Sequence, residues 1–329
     1  MPEMRRNPLT DTWVVISPER EARPTEFQTN TLHHASSCPF CPGHENATPK
    51  PILTFQGDAT PWSLRVIPNL YPALRVEEQH ERAAHGAWDW MAGVGAHEVV
   101  IETADHAQPR GKARFEMTSR TLEAVAIRLS DLSRDKRLQH ITWFKNQGAL
   151  AGATLDHPHS QILALPVVPR SVRDELERCR DHEQRTGRSL VDDLVQSELS
   201  DGVRVLGHQG RAVAFCPYAS KSPFEFWVVH RDAASHVERD NREHRESVAE
   251  CLSECLDRLE SALPDVPWNL TLHSAPVATA SRTDYRWHIR VLPRTQRAGG
   301  LEWGSDVHIN PTAPERAAAF LQSVSLHAI

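Results

Sequence analysis

The 329-residue chain contains no apolar run long enough to cross a bilayer. Its opening, Met-Pro-Glu-Met-Arg-Arg, has no apolar signal core. Both absences lead us to expect a cytoplasmic protein with no membrane partner. Positive charge is not in excess either: 37 Lys and Arg against 43 Asp and Glu leave a formal net charge of −6. That balance argues against a nucleic-acid partner, although a small anionic ligand needs only local donors. Six cysteines are too few for a disulfide scaffold in a chain of this length. The sequence also lacks a Gly-x-Gly-x-x-Gly and a Gly-x4-Gly-Lys-Ser/Thr, so it has neither a dinucleotide fingerprint nor a P-loop.

What is present is a pattern that occurs twice. The first pass has a strand at 97–102, then an amphipathic helix with Leu122, Val125, Leu129 and Leu132 on one stripe. A strand at 141–145, a Gly-rich turn and a strand at 161–165 complete it. The second pass has a strand at 226–230 and a helix carrying Val248, Cys251, Leu252, Cys255, Leu256 and Leu259. Strands at 269–273 and 287–293 follow. Cys251 and Cys255 read as core fillers on that helix. The repetition predicts an α+β fold of two similar halves, each an antiparallel sheet with a long packing helix. We expect domains at 1–170 and 171–329, with 170–205 a mostly helical connection and 20–50 irregular.

The chemistry is concentrated in Asp156-His157-Pro158-His159-Ser160-Gln161. Alternate residues of an extended chain face one side, so an early start to the strand would align His157, His159 and Gln161. A neutral imidazole is a phosphorus nucleophile, and a carboxamide donates hydrogen bonds to phosphoryl oxygens. Cys38-Pro-Phe-Cys41 is a Cys-x2-Cys knuckle with the spacing of zinc ligands. No second knuckle exists, so histidines must complete the set. His33, His34, His44, His97, His106 and His157 are the candidates.

These motifs, together with Arg5–Arg20, Arg65-Val-Ile-Pro-Asn69, Ser222-Pro-Phe-Glu225, Trp287-His-Ile289 and Gly300-Leu-Glu302-Trp-Gly304, give the chain its resemblance to the galactose-1-phosphate uridylyltransferase family of the histidine-triad superfamily. The resemblance runs over nearly the whole length. It implies a homodimer of chains that each contain two histidine-triad-like halves. It also implies double displacement: His159 takes a nucleotidyl group from a nucleotide sugar and passes it to a sugar 1-phosphate. UDP-glucose and galactose 1-phosphate are the default pair. By the same resemblance, Gln161 binds the phosphoryl oxygens, and Asn146, Gly152 and Thr154 line the phosphate cradle. Arg23 and Asn69 match nucleotide-contacting positions. Glu302 matches a hexose-contacting position, with Asn310 standing in for a Gln. Cys38, Cys41, His106 and His157 match the ligands of one structural Zn2+.

Some members of that family hold a second metal, usually iron, on one Glu and three His. Glu175, His273 and His288 match, but the fourth position is Arg290. A guanidinium is a cation with no lone pair to give, so that site is expected to be without metal. Other readings keep the nucleophile and change the partner: a nucleotide-sugar phosphorylase, such as ADP-glucose with phosphate, or a hydrolase of phosphoramidates or dinucleotides. A different class, a zinc-stabilised nucleotide-binding protein without turnover, is disfavoured by the intact His159 and Gln161.

Overall fold

A computed structural model describes residues 2–18 and 38–326. The chain begins with β1 (Glu3–Arg6) and β2 (Trp13–Ile16), joined by a turn in which the Asn7 carboxamide accepts from the Leu9 and Thr10 amides. The first pass follows as β3 (Leu53–Phe55), β4 (Leu64–Pro68), a detached hairpin of β5 (Arg82–His85) and β6 (Trp88–Met91), then β7 (Ala96–Ile101), α1 (Gly111–Leu132), β8 (His140–Gln147) and β9 (His159–Leu165). Helices α2 (Arg170–Thr186) and α3 (Leu190–Asp201) connect to the second pass. That pass is β10 (Val205–Gln209), β11 (Ala212–Phe215), β12 (Phe226–His230), α4 (Arg242–Ala262), β13 (Trp268–His273) and β14 (His288–Pro293). The chain closes with α5 (Gly300–Ser305), β15 (His308–Asn310) and α6 (Pro314–Ser323). Among the described residues no helix is long and apolar enough to cross a membrane.

The α+β class and the duplication are both present. Five strands of the first pass lie in the order β3-β4-β7-β9-β8, and five of the second in the same order, β10-β11-β12-β14-β13. In each pass the helix falls between the third and fourth strands. The two sets are continuous, because β8 pairs antiparallel with β13 and makes one ten-stranded sheet. The chain ends are also brought together: β15 pairs in parallel with β2, so the first and last strands share a small sheet.

Side-chain alternation gives the large sheet two faces. Trp143, Ile162, Ala164, Phe226, Val228, Leu270, Leu272, Ile289 and Val291 join the α1 and α4 stripes in one core. All the stripe residues anticipated for α1 and α4 are buried. On the opposite face of the second half, Trp227 and Val229 meet Leu176 and Cys179 of α2 and Val191 and Val195 of α3. On that face of the first half, Val99 and Ile101 are packed by a smaller cluster of Cys38, Phe40, Trp62, Ile67 and Ala104.

Candidate active site and metal centre

Strand β9 begins at His159, so alternation puts His159 and Gln161 on the face away from α1 and α4. His157 precedes the strand in a bend, and its ring turns to the cysteines instead of sharing that face. His159 keeps 8% exposure and meets the Phe40 ring edge-on, with ring centroids 5.4 Å apart. Its Nδ1 donates to the His157 carbonyl oxygen at 2.8 Å. A backbone carbonyl only accepts, so this bond fixes the proton on Nδ1 and leaves the lone pair on Nε2. Burial pushes the imidazole pKa down, which the His157 carbonyl partly opposes and the nearby Lys145 reinforces. The ring is therefore neutral at neutral pH, as a nucleophile must be.

Gln161 is held by a residue assigned no such role from sequence. His97 Nδ1 accepts from the Ala73 amide at 3.1 Å, so its Nε2 carries the proton and donates to Gln161 Oε1 at 2.8 Å. The Gln161 amide nitrogen is then the end left to donate. Asn69 lies beside this pair, its oxygen accepting from the Tyr71 amide and its amide nitrogen 3.1 Å from His97 Nε2, a contact between two donors that makes no hydrogen bond. His97 is thus removed from the metal candidates and becomes the support of the carboxamide. Its signal was an imidazole beside Glu98 in a strand whose other residues are apolar.

Asn146 on β8 is fixed from the other half. Asn269 Nδ2 donates to Asn146 Oδ1 and to the Ala151 carbonyl, both at 2.8 Å. One side chain thereby sets both the amide and the turn that follows it. That turn needs its glycines: Gly148 has φ +81° and Gly152 φ +92°, where a side chain is strained. Thr154 is exposed just beyond the turn.

The metal candidates resolve into four. Cys38, Cys41, His106 and His157 each present a ligand atom within 4.8 Å of the others. Cys41 Sγ lies 3.4 Å from His106 Nδ1 and 3.6 Å from His157 Nδ1. A tetrahedral ion with usual Zn–S and Zn–N bond lengths separates such atoms by about 3.5 Å, so the donor set fits zinc. His157 Nε2 donates to the Thr103 carbonyl at 2.8 Å, which leaves Nδ1 free to ligate. His44 stands one layer out, its Nδ1 donating to the Cys38 carbonyl at 2.6 Å. Arg23, His33 and His34 lie outside the described residues.

Glu302 and Asn310 sit at the chain's other end. Glu302 Oε2 accepts from the Gly299 amide at 2.7 Å and caps α5. Asn310 closes β15. It is wholly buried, donating to the Ser220 carbonyl and accepting from the Thr312 amide, both at 2.9 Å. Its carboxamide ties β15 to the Ser220 backbone.

The second cluster does not fit a metal. Arg290 donates from Nη1 and Nη2 to the two oxygens of Glu175, each at 2.9 Å, inside the space that Glu175, His273 and His288 enclose. Burial alone would raise the Glu175 carboxyl, but Arg290 and His273 more than reverse this and hold it well below the usual range.

The family model for the galactose-1-phosphate uridyl transferase N-terminal domain matches residues 1–169. The chain belongs to the galactose-1-phosphate uridylyltransferase family. Among curated relatives it is 33% identical to ADP-glucose phosphorylase of Arabidopsis thaliana, over 99% of this chain and 93% of that one. It is 24% identical to galactose-1-phosphate uridylyltransferase of Thermotoga maritima, over 99% of both. The crystal structure of the Arabidopsis ADP-glucose phosphorylase with bound ADP-glucose superposes with a TM-score of 0.84 at 30% identity, covering 99% of this chain and all of that one. The nucleotidyl-transfer class expected of His159 and Gln161 is the class of these relatives.

Proposed function

We propose that His159 carries an adenylyl group from ADP-glucose to inorganic phosphate. The observation that carries the reading is the tautomer of His159. With its proton on Nδ1, the Nε2 lone pair attacks the α-phosphorus, an N–P bond forms, and the P–O bond to glucose 1-phosphate breaks. A phosphate oxygen then attacks the same phosphorus, the N–P bond breaks, and ADP leaves. Each step exchanges one bond at phosphorus for another, so little proton chemistry is asked of the protein. Gln161, oriented by His97, donates to the equatorial oxygens as charge builds there. Asn146, held by Asn269, and the Gly148–Gly152 turn line the phosphate path, with Asn69 toward the nucleoside. Glu302 and Arg23 serve the sugar and nucleotide ends.

The choice of ADP-glucose rests on the greater likeness to the phosphorylase, 33% against 24% identity. A second reading, uridylyl exchange between UDP-glucose and galactose 1-phosphate, keeps every residue role and is supported by the family model. In both, one Zn2+ on Cys38, Cys41, His106 and His157 ties the knuckle to the residue two before the nucleophile. A bound zinc supplies a closed four-ligand tether there, with no open position for chemistry.

The deciding experiment incubates the protein with each nucleotide sugar and measures the intact mass after denaturation. An adenylyl adduct from ADP-glucose, discharged by phosphate and absent in His159→Ala, is expected. An adduct formed only from UDP-glucose and discharged by galactose 1-phosphate selects the second reading. No adduct from either donor removes both.

A further inference from the structure

The matching strand orders allow β9 and β14 to be compared residue by residue. Ile101 faces His159 across β7–β9, and Val229 faces His288 across β12–β14. Each histidine opens its strand, and two residues later Gln161 in one half answers to Arg290 in the other. The tautomers correspond as well. His288 Nδ1 donates to the Arg286 carbonyl two residues back at 2.9 Å, as His159 Nδ1 does to His157. Both rings therefore carry their lone pair on Nε2.

Their fates differ. Among the described residues, Nε2 of His159 makes no hydrogen bond. Nε2 of His288 accepts from Arg290, with Nε at 3.1 Å and Nη2 at 3.0 Å. A guanidinium has only donors, so it closes that lone pair completely. Its other edge makes the two parallel bonds to Glu175, and its face covers Trp227 at 4.1 Å. His273 stacks on His288 with centroids 5.0 Å apart, and its Nδ1 is 3.6 Å from Glu175 Oε2. Glu175, Arg290 and His288 are all buried, at 5%, 7% and 1% exposure. Glu175, His273 and His288 alone bring their ligand atoms within 4.8 Å of one another. The donors for a divalent ion are thus assembled, and a side chain fills the place of the ion.

We propose that Arg290 is a built-in cation that substitutes for a metal ion in the C-terminal half. It neutralises Glu175, fastens α2 to β14, and silences the duplicated imidazole by occupying its lone pair. This assignment rests on packing in the second half and is independent of the substrate read for the first. One substitution should undo it. Arg290→His removes the cation and adds a fourth ligand, which opens a site of three imidazoles and one carboxylate for a divalent transition metal.

The test counts ions in full-length wild type, R290H and R290K after loading with Co2+ and dialysis. R290H is expected to hold one equivalent more than wild type, whatever the Cys–His group contains. The added ion should show ligand-field bands without thiolate-to-cobalt charge transfer, because none of its ligands is sulfur. R290K, which keeps a cation, should gain no ion. Should R290H fail to fold, R290Q leaves the three natural ligands uncapped and is expected to gain the same ion with weaker retention. An ion in wild type that His288→Gln removes would overturn the proposal. So would the absence of an extra ion in both R290H and R290Q.

Discussion

The two halves present the same face of one sheet, and they treat it in opposite ways. In the first half that face carries a histidine whose Nε2 makes no hydrogen bond among the described residues, a carboxamide and a glycine turn, beside a cluster of two cysteines and two histidines. In the second half the corresponding histidine lies under α2, capped by Arg290 and stacked on His273. A duplicated frame thus supports an uncapped imidazole in one copy and a structural ion pair in the other. The difference shows how little separates the two roles. The strand, the register and the tautomer are common to both, and the side chain two residues after the histidine divides them.

Exchanging that side chain is the sharpest way to break the comparison, with the largest effect. Gln161→Arg puts a guanidinium where it can cap His159 Nε2 as Arg290 caps His288. Adduct formation should fall by about 10³-fold, since a lone phosphoryl donor is lost and the nucleophile is occupied. Single-turnover mass spectrometry measures it, and an unchanged rate would show that the register match has no chemical meaning. Next comes the way each half is tethered. Cys38→Ser should cost several kcal/mol, because the binding energy of a structural ion is folding energy. A thermal midpoint lowered by about 10 °C, with a matching loss of zinc, is expected. A chelator should have the same effect on wild type.

The second half should ignore the chelator and respond to Arg290→Met. That change leaves the buried Glu175 with His273 alone as its partner and should cost about 3–5 kcal/mol, read by denaturant unfolding. Adding Glu175→Leu to it should recover most of the loss, because an apolar pair replaces an ion pair at little cost. If the double variant is no better than the single, the pair is not the element that holds α2. The smallest effect is in the shared sheet. Burial pushes the His140 imidazole down to about 4. Its neutral form is favoured in the folded state, so its contribution is complete above about pH 6.5 and is lost as pH falls towards 4. His140→Gln should remove about 2 kcal/mol of the stability decline between pH 7 and 5, seen as a shallower slope in unfolding free energy.

Much of this was legible in the residues. The stripes of α1 and α4 were readable because a helical face that packs on a sheet must be apolar at intervals of three and four. The pairing of Cys38 and Cys41 was readable because thiolate spacing has few other uses in a proline-bounded loop. The shared face of His159 and Gln161 was readable as alternation along β9, although His157 departs from it. What was hidden depended on contacts between distant segments. Nothing local says that β8 pairs with β13, so the support of Asn146 by Asn269 could not be foreseen. The alternation of Asn269-Leu-Thr-Leu-His273 was the only hint, with its polar residues all on one side. His97 looked like a ligand because an imidazole on a strand is chemically ambiguous, and only its neighbours at Ala73 and Gln161 settle its use. Arg290 was readable as a cation that does not ligate, but its bond to His288 was not.

The junction of β8 and β13 has a consequence for how such a molecule can be taken apart. Each half, expressed alone, would bare a full row of amide and carbonyl groups along the seam where its sister normally lies, and such a row invites pairing with the wrong chain. The first fragment would also lose the asparagine that steadies its own amide. Mixed fragments should therefore recover activity that neither possesses, with the seam acting as the recognition surface. The chain behaves less like two tethered enzymes than like one sheet folded from two similar sentences, only one of which still carries a verb.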